Sequence, residues 1–211
     1  MSPEVVLVHG LWNRGWSMAA MAKRLRSSGF KVSIFSYPSL GKDIAGHADS
    51  LKEFIESSVE GPFNLVGHSL GGLVILNLLN NYPDLPVERV VLMGSPVQGS
   101  SLVKRLTKLP GEKLLFGQVR GALLDGYLHS PNHCDVGMIR GTRSFGLGRV
   151  IGKHAGRNDG SVLLSETRLD GLQDSVEMPV AHSEMLISSE VVTQVEHFIK
   201  NGSFSHPPEN Q

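Results

Sequence analysis

A single cysteine, Cys134, stands among the 211 residues, so the chain can form no disulfide within itself. That scarcity fits a reducing compartment. A chain of this length buries a large core without such staples, and it is read as one domain. Net charge is also lacking: 20 basic residues balance 20 acidic ones, which points away from nucleic acid as a partner. No apolar run reaches the roughly 20 residues that span a bilayer. The opening "MSPEVVLVHG" has no charged stretch ahead of an apolar one, so no signal peptide is expected and the location is read as cytoplasmic. Internal repeats and low-complexity segments are missing as well.

Present instead is an alternation of short apolar runs with longer amphipathic ones. Strands are expected at 4–10, 31–37, 62–68, 89–95, 134–142 and 174–181. Helices are expected at 17–30, with Ser17 as N-cap, and at 47–59, 70–82 and 188–200. Strand–helix repetition predicts an α/β fold, a mostly parallel central sheet with helices on both faces. Residues 100–133 are too long for a plain connection and contain two stretches of helical spacing divided by Pro110–Gly111. They are read as one or two helices forming a small cap inserted in a domain spanning 1–201, with 202–211 as a flexible tail.

The chemistry concentrates at "GHSLG" (67–71), which has the pattern G-x-S-x-G. Glycines and serines are common, so placement gives the pattern its weight. "FNLV" precedes it and "LVILNLL" follows, so Ser69 falls on a sharp turn from strand to helix. The glycines leave room for that turn, and the Leu70 N–H faces the same space at the helix start, where it can stabilise an oxyanion. A second donor must come from a neighbouring strand end. "HG" at 9–10 lets the chain turn there, with Leu11 or Trp12 to supply the N–H.

A serine needs a base, and a base needs an orienting acid. Of the late histidines, His206 lies in the tail and His197 within a helix. His182 follows a strand in the loop "AHSEML" and is the candidate base. Asp159, in the turn-rich "GRNDGSV", is the candidate acid, with Asp170 as the alternative. Asp170 and Asp174 flank the start of the last strand, at the opposite edge.

With "VHGLW" (8–12), "GHSLGG" (67–72), "GSPVQGS" (94–100), "NDGSV" (158–162) and His182 in this order, the chain resembles the α/β-hydrolase superfamily, in particular its lipase and esterase branch. The resemblance implies Ser69 as nucleophile, His182 as base and Asp159 as acid, with Leu11 and Leu70 as oxyanion-hole donors. It implies a small-molecule acyl ester as substrate, no cofactor, and an acyl-enzyme on Ser69. Some bacterial lipases hold calcium near the acid and base loops. Glu184 falls near such a ligand position, but residues around Ile139 and Arg140 offer no partner for it, so no metal is expected.

Three features compete with this reading. Residues 101–158 carry 10 basic and 3 acidic residues, while 159–211 carry 2 and 9. The basic excess suits an anionic substrate or peripheral contact with anionic lipid, or is simply a solvated face balanced by the acidic end. "HSPNHCD" (129–135) gathers metal-ligating residue types at a spacing that fits no known framework. Finally, the same triad serves thioesterases and acyltransferases, and the same fold serves as a ligand-binding module without catalysis.

Overall fold

The computed structural model describes residues 3–127, 130–145 and 156–206. Six strands form one sheet: β1 (Glu4–Val8), β2 (Lys31–Phe35), β3 (Phe63–His68), β4 (Val87–Met93), β5 (Asp135–Gly141) and β6 (Asp174–Met178). Their order is β2-β1-β3-β4-β5-β6, and every neighbouring pair is parallel.

Side chains alternate across the sheet as the strand pleat requires. Val6, Val8, Leu65, Val90 and Leu92 join the apolar layer under α2 (Ile44–Ser58) and α3 (Leu70–Asn81). Val5, Leu7, Val66, Val91 and Met93 join the opposite layer, under α1 (Ala19–Ser27) and the last helix, Ser189–Asn201. Both faces of the central strands are therefore buried, which explains their largely apolar runs. β1 connects to β2 on one side and pairs with β3 on the other. The crevice at the carboxyl ends of β1 and β3 is thus the switch point where ligands bind in sheets of this kind.

Several local details depart from the sequence reading. Ser17 caps no helix: its hydroxyl donates to the Arg14 carbonyl, and a 3-10 turn over Gly15–Met18 leads into α1. The second helix starts at Ile44 rather than 47, because the Asp43 carboxylate accepts the Gly46 N–H at 2.9 Å and caps it earlier. The cap comprises three short helices, α4 (Ser101–Leu106), α5 (Glu112–Phe116) and α6 (Arg120–Asp125).

The last helix of the described residues, α7, ends at Asn201, but 202–206 do not leave the body as a free tail. Phe204 is buried against Phe198, and the Asp174 carboxylate accepts the Phe204 N–H and pairs with His206. Apolar burial and a charge partner, both supplied by residues distant in sequence, hold this stretch down. Residues 207–211 lie outside the described part. No helix among the described residues is long and apolar enough to cross a membrane.

Candidate active site

Ser69 joins β3 to α3 with φ 55 and ψ −121. This is the geometry of the first central position of a type II′ turn, a region that glycine favours. Its N–H donates to Met93 O at 2.9 Å, tying the elbow to the end of β4. The flanking glycines are there for space. A Cβ on Gly67 would sit 2.7 Å from Ile75 Cδ1 and 2.8 Å from Gly72 Cα. One on Gly71 would collide with the Val8 carbonyl, and one on Gly72 with the Ser95 hydroxyl. Only a helix without side chains at these points can dock this close to β1 and β4.

The end of β1 meets the elbow directly, since a Cβ on Gly10 would lie 3.0 Å from Ser69 Cβ. His9 fixes this loop. Its Nδ1–H donates to Gly10 O at 2.9 Å, and Nε2 accepts the Tyr37 N–H at 3.2 Å. Tyr37 stacks on the ring and donates its hydroxyl to His9 O. Burial lowers the pKa of His9, so the ring is neutral, as this pair of bonds requires. Of the two candidate donors after Gly10, the Trp12 N–H is taken by Ser39 Oγ at 3.1 Å. The Leu11 and Leu70 N–H groups donate to no acceptor among the described residues.

Asp159 is buried in the turn after the undescribed stretch. Its Oδ1 accepts the N–H groups of Ser161 at 2.9 Å and Val162 at 2.7 Å. Its Oδ2 accepts His182 Nδ1–H at 2.7 Å. His182 is also held by its backbone, with its N–H on Asp159 O at 2.9 Å and its carbonyl accepting His68 Nε2–H at 2.9 Å. Gly94 (φ 56), in "GSPVQGS", underlies this pair. A Cβ there would press within 3.0 Å of Asp159 Oδ2 and 3.1 Å of His182 Nδ1.

Ser69, His182 and Leu11 line one cavity of about 350 Å³ whose other walls are mostly apolar, among them Trp12, Val103, Leu106, Phe116 and Leu186. No Asp, Glu, Lys or Arg lines it among the described residues. No hydrogen bond joins Ser69 Oγ to His182 among those residues, a looseness common where no ligand is bound. The alternative acid Asp170 is exposed, and Asp174 is engaged at the start of β6. His197 Nδ1–H donates to Ser203 O on the surface of α7, away from this cavity.

Two residues have roles that the sequence reading did not assign; the first, Glu166, qualified there only by position as an acid. Glu166 is buried, with Oε1 accepting the Ser101 N–H at 2.6 Å and Oε2 accepting the Leu163 N–H at 2.9 Å. It joins the Asp159 loop to the start of α4, the helix whose Val103 and Leu106 wall the cavity. Glu184 accepts the Ala181 N–H, and both its oxygens accept Arg143 Nη1–H at 2.9 and 3.0 Å. A guanidinium therefore stands against the carboxylate considered above for calcium. The described residues hold no group of three or more metal-ligating side chains. Burial pushes the Cys134 thiol up to about 11, far from a nucleophilic thiolate; His129 of the same stretch lies outside the described residues.

His68 is the second contributor. It is buried, its ring lies 4.6 Å from that of His182, and its Nδ1 has no partner among the described residues. The bond to the His182 carbonyl puts the proton on Nε2. Burial, and next the neighbouring His182, pull its pKa down from 6.5 to about 3. The unfolded chain therefore binds a proton here that the native state refuses. The penalty is absent above about pH 6.5 and grows as pH falls towards the native value. Between about pH 7.5 and about pH 5.5 the fold should lose roughly 1.4 kcal/mol through His68 alone. His9 and His47, also lowered by burial, act in the same direction. Urea midpoints across that range should fall, and His68→Gln should flatten the slope; an unchanged slope in the variant would refute the assignment.

Comparisons with known proteins agree with this architecture. The profile of the alpha/beta hydrolase family matches residues 5–170. A lipase of Bacillus licheniformis in its mature form superposes with a TM-score of 0.69 at 20% identity, covering 94% of this chain and 91% of that one. A metagenomic carboxyl esterase gives 0.70 at 17%, covering 86% and 64%. A carboxylesterase of Bacillus subtilis gives 0.58 at 17%, covering 95% and 84%. At such identities these likenesses speak for the fold. Among curated proteins, salicylic acid-binding protein 2 of Nicotiana tabacum is 32% identical over 111 residues, a match spanning 46% of this chain and 43% of that protein. On the family match over most of its length, together with the six-stranded parallel sheet and the strand–serine–helix elbow, the chain belongs to the alpha/beta hydrolase family.

Proposed function

We propose that the protein is a serine hydrolase that cleaves a carboxylic ester through an acyl-enzyme on Ser69. The observation that carries this reading is the His182 Nδ1–Asp159 Oδ2 bond of 2.7 Å behind a serine strained into the elbow of the same cavity. Ser69 Oγ attacks the acyl carbonyl while His182 Nε2 takes its proton. Asp159 holds the imidazole with its proton on Nδ1 and stabilises the imidazolium. The Leu11 and Leu70 N–H groups, free of other acceptors among the described residues, bind the developing oxyanion. His182 then protonates the departing alcohol. Water in the place of the alcohol then gives a proton to His182 and attacks the acyl carbonyl, and His182 returns the proton to Ser69 Oγ as the acid leaves.

The cavity bounds the substrate. Its apolar lining, without Asp, Glu, Lys or Arg among the described residues, suits an uncharged acyl or aryl group. A volume of about 350 Å³ is near the low end of ligand pockets, which favours short or medium acyl chains over long ones. The names of two fold neighbours, lipase and carboxyl esterase, agree with ester chemistry.

The curated match carries "binding" in its name, which keeps a non-catalytic reading in play. A fluorophosphonate probe separates the two. Stoichiometric labelling, mapped by peptide mass to Ser69 and blocked by prior incubation with an ester, is the expected result. Absence of labelling on folded protein would leave the binding reading standing.

A further inference from the structure

The cap presents a surface that catalysis does not use. Between Lys104 and Leu115, exposed cations and exposed leucines alternate. Lys104, Arg105, Lys108 and Lys113 all reach solvent and form no ion pair among the described residues. The acidic residue of the stretch, Glu112, is engaged by Arg120. Among these cations Leu114 is 84% exposed and Leu109 51%. Such large apolar side chains clustered in water mark an interaction surface.

The patch continues to the mouth of the cavity. Trp12 Nε1–H donates to Leu115 O at 2.7 Å, and the Trp12 ring lies 6.0 Å from that of Phe116. Trp12 is itself 49% exposed, and Phe145, on the cavity lining, is 67% exposed. An indole half in water beside leucines and lysines is the composition of a protein surface that sits at a lipid–water boundary. Leucines enter the acyl region, lysine stems follow them, and the ammonium groups return to the phosphates. The stretch is built of the end of α4, α5 and the turn between them.

We propose that residues 104–115 of the cap dock the protein on an anionic phospholipid surface, leucines inserted and cations on the headgroups, with the cavity mouth beside the membrane. The charge excess selects the partner: four cations without an ion pair among the described residues are complementary to an anionic leaflet and gain nothing from a neutral one. This docking does not depend on the reaction proposed above.

The test is co-sedimentation of the full chain with vesicles of phosphatidylcholine alone or of equimolar phosphatidylcholine and phosphatidylglycerol. Binding to the anionic vesicles only, weakened by moderate salt and released by high salt, is expected. Lys108→Glu with Lys113→Glu should weaken partitioning at low salt by at least about 30-fold, the effect of two headgroup-bound cations. Leu109→Asp with Leu114→Asp should abolish binding that resists moderate salt. Neither pair lines the cavity, so turnover of a soluble ester and fluorophosphonate labelling should stay at wild-type level in both. Equal binding to both vesicle types, no binding to either, or binding unchanged in both variants overturns the proposal. So does concentration-dependent self-association in ultracentrifugation that the leucine variant removes, since a second copy would then be the occupant. Vesicle binding by a protein that fails to label would sink the esterase reading and leave the docking intact.

Discussion

Ser69→Ala should lower kcat/KM for a p-nitrophenyl ester by about 10⁶-fold, because the nucleophile and its base act as a unit and losing one member forfeits nearly the whole effect. Thermal stability should hardly change. Ser69 is only partly buried, and its hydroxyl has no hydrogen-bond partner among the described residues, so its removal leaves no orphaned donor. The left-handed φ of 55 strains alanine as it strains serine. Ser69→Gly should be equally inactive yet more stable than Ser69→Ala by about 1 kcal/mol, since glycine adopts this conformation freely and pays back only part of that gain in unfolded-chain entropy. Inactivity with this order of melting temperatures would show the strain at the elbow to be maintained for chemistry. Alanine and glycine variants of equal stability would refute the strain, and an alanine variant that turns over ester at near wild-type rate would refute the role of Ser69.

Much of the sheet was legible because a strand buried on both faces is mostly apolar, as 5–8 and 90–93 are throughout and 63–66 is but for Asn64. The elbow was legible because sterics leave few residue types for it: Gly67, Gly71 and Gly72 each lie where a Cβ would meet another element. The turn bearing Asp159 was legible as turn chemistry, Asn158 and Gly160 being residues that close such loops. What the sequence hid depends on distant partners. Nothing local to "GHS" says that the histidine will be sealed from water and bonded to the carbonyl of residue 182. Nothing in "SVLLSETRL" says that Glu166 will reach back to the start of α4. Nothing in "NGSFSH" says that Asp174 will bind Phe204 and His206. Helix starts failed for a milder reason: Ser17 and Asp43 both have capping chemistry, and only the path of the backbone decides which of them caps.

Asp159→Asn should cost about 10⁴-fold in kcat with KM little changed, because the acid sets which imidazole nitrogen carries the proton. The surroundings of Asp159 decide how an amide would sit. Oδ1 accepts two backbone N–H groups, from Ser161 and Val162, so the oxygen of an asparagine must take that side. Its NH₂ is then forced towards His182 Nδ1, which must accept rather than donate. The imidazole proton moves to Nε2, the atom facing Ser69, and a nitrogen already protonated cannot take the serine proton. The fold should survive, since both N–H groups keep their acceptor. Asp159→Ala removes that acceptor and should add a stability loss of about 1–3 kcal/mol, the cost of buried donors left unpaired. Raising pH should not restore Asp159→Asn within the stable range of the protein, because a neutral imidazole is already present in the wrong tautomer. The downfield imidazole N–H signal of the wild type should vanish from the proton NMR spectrum of Asp159→Asn. A variant within tenfold of wild type would mean that another carboxylate orients His182. The exposed Asp170, at the far edge of the sheet, would have to move across the molecule to do so.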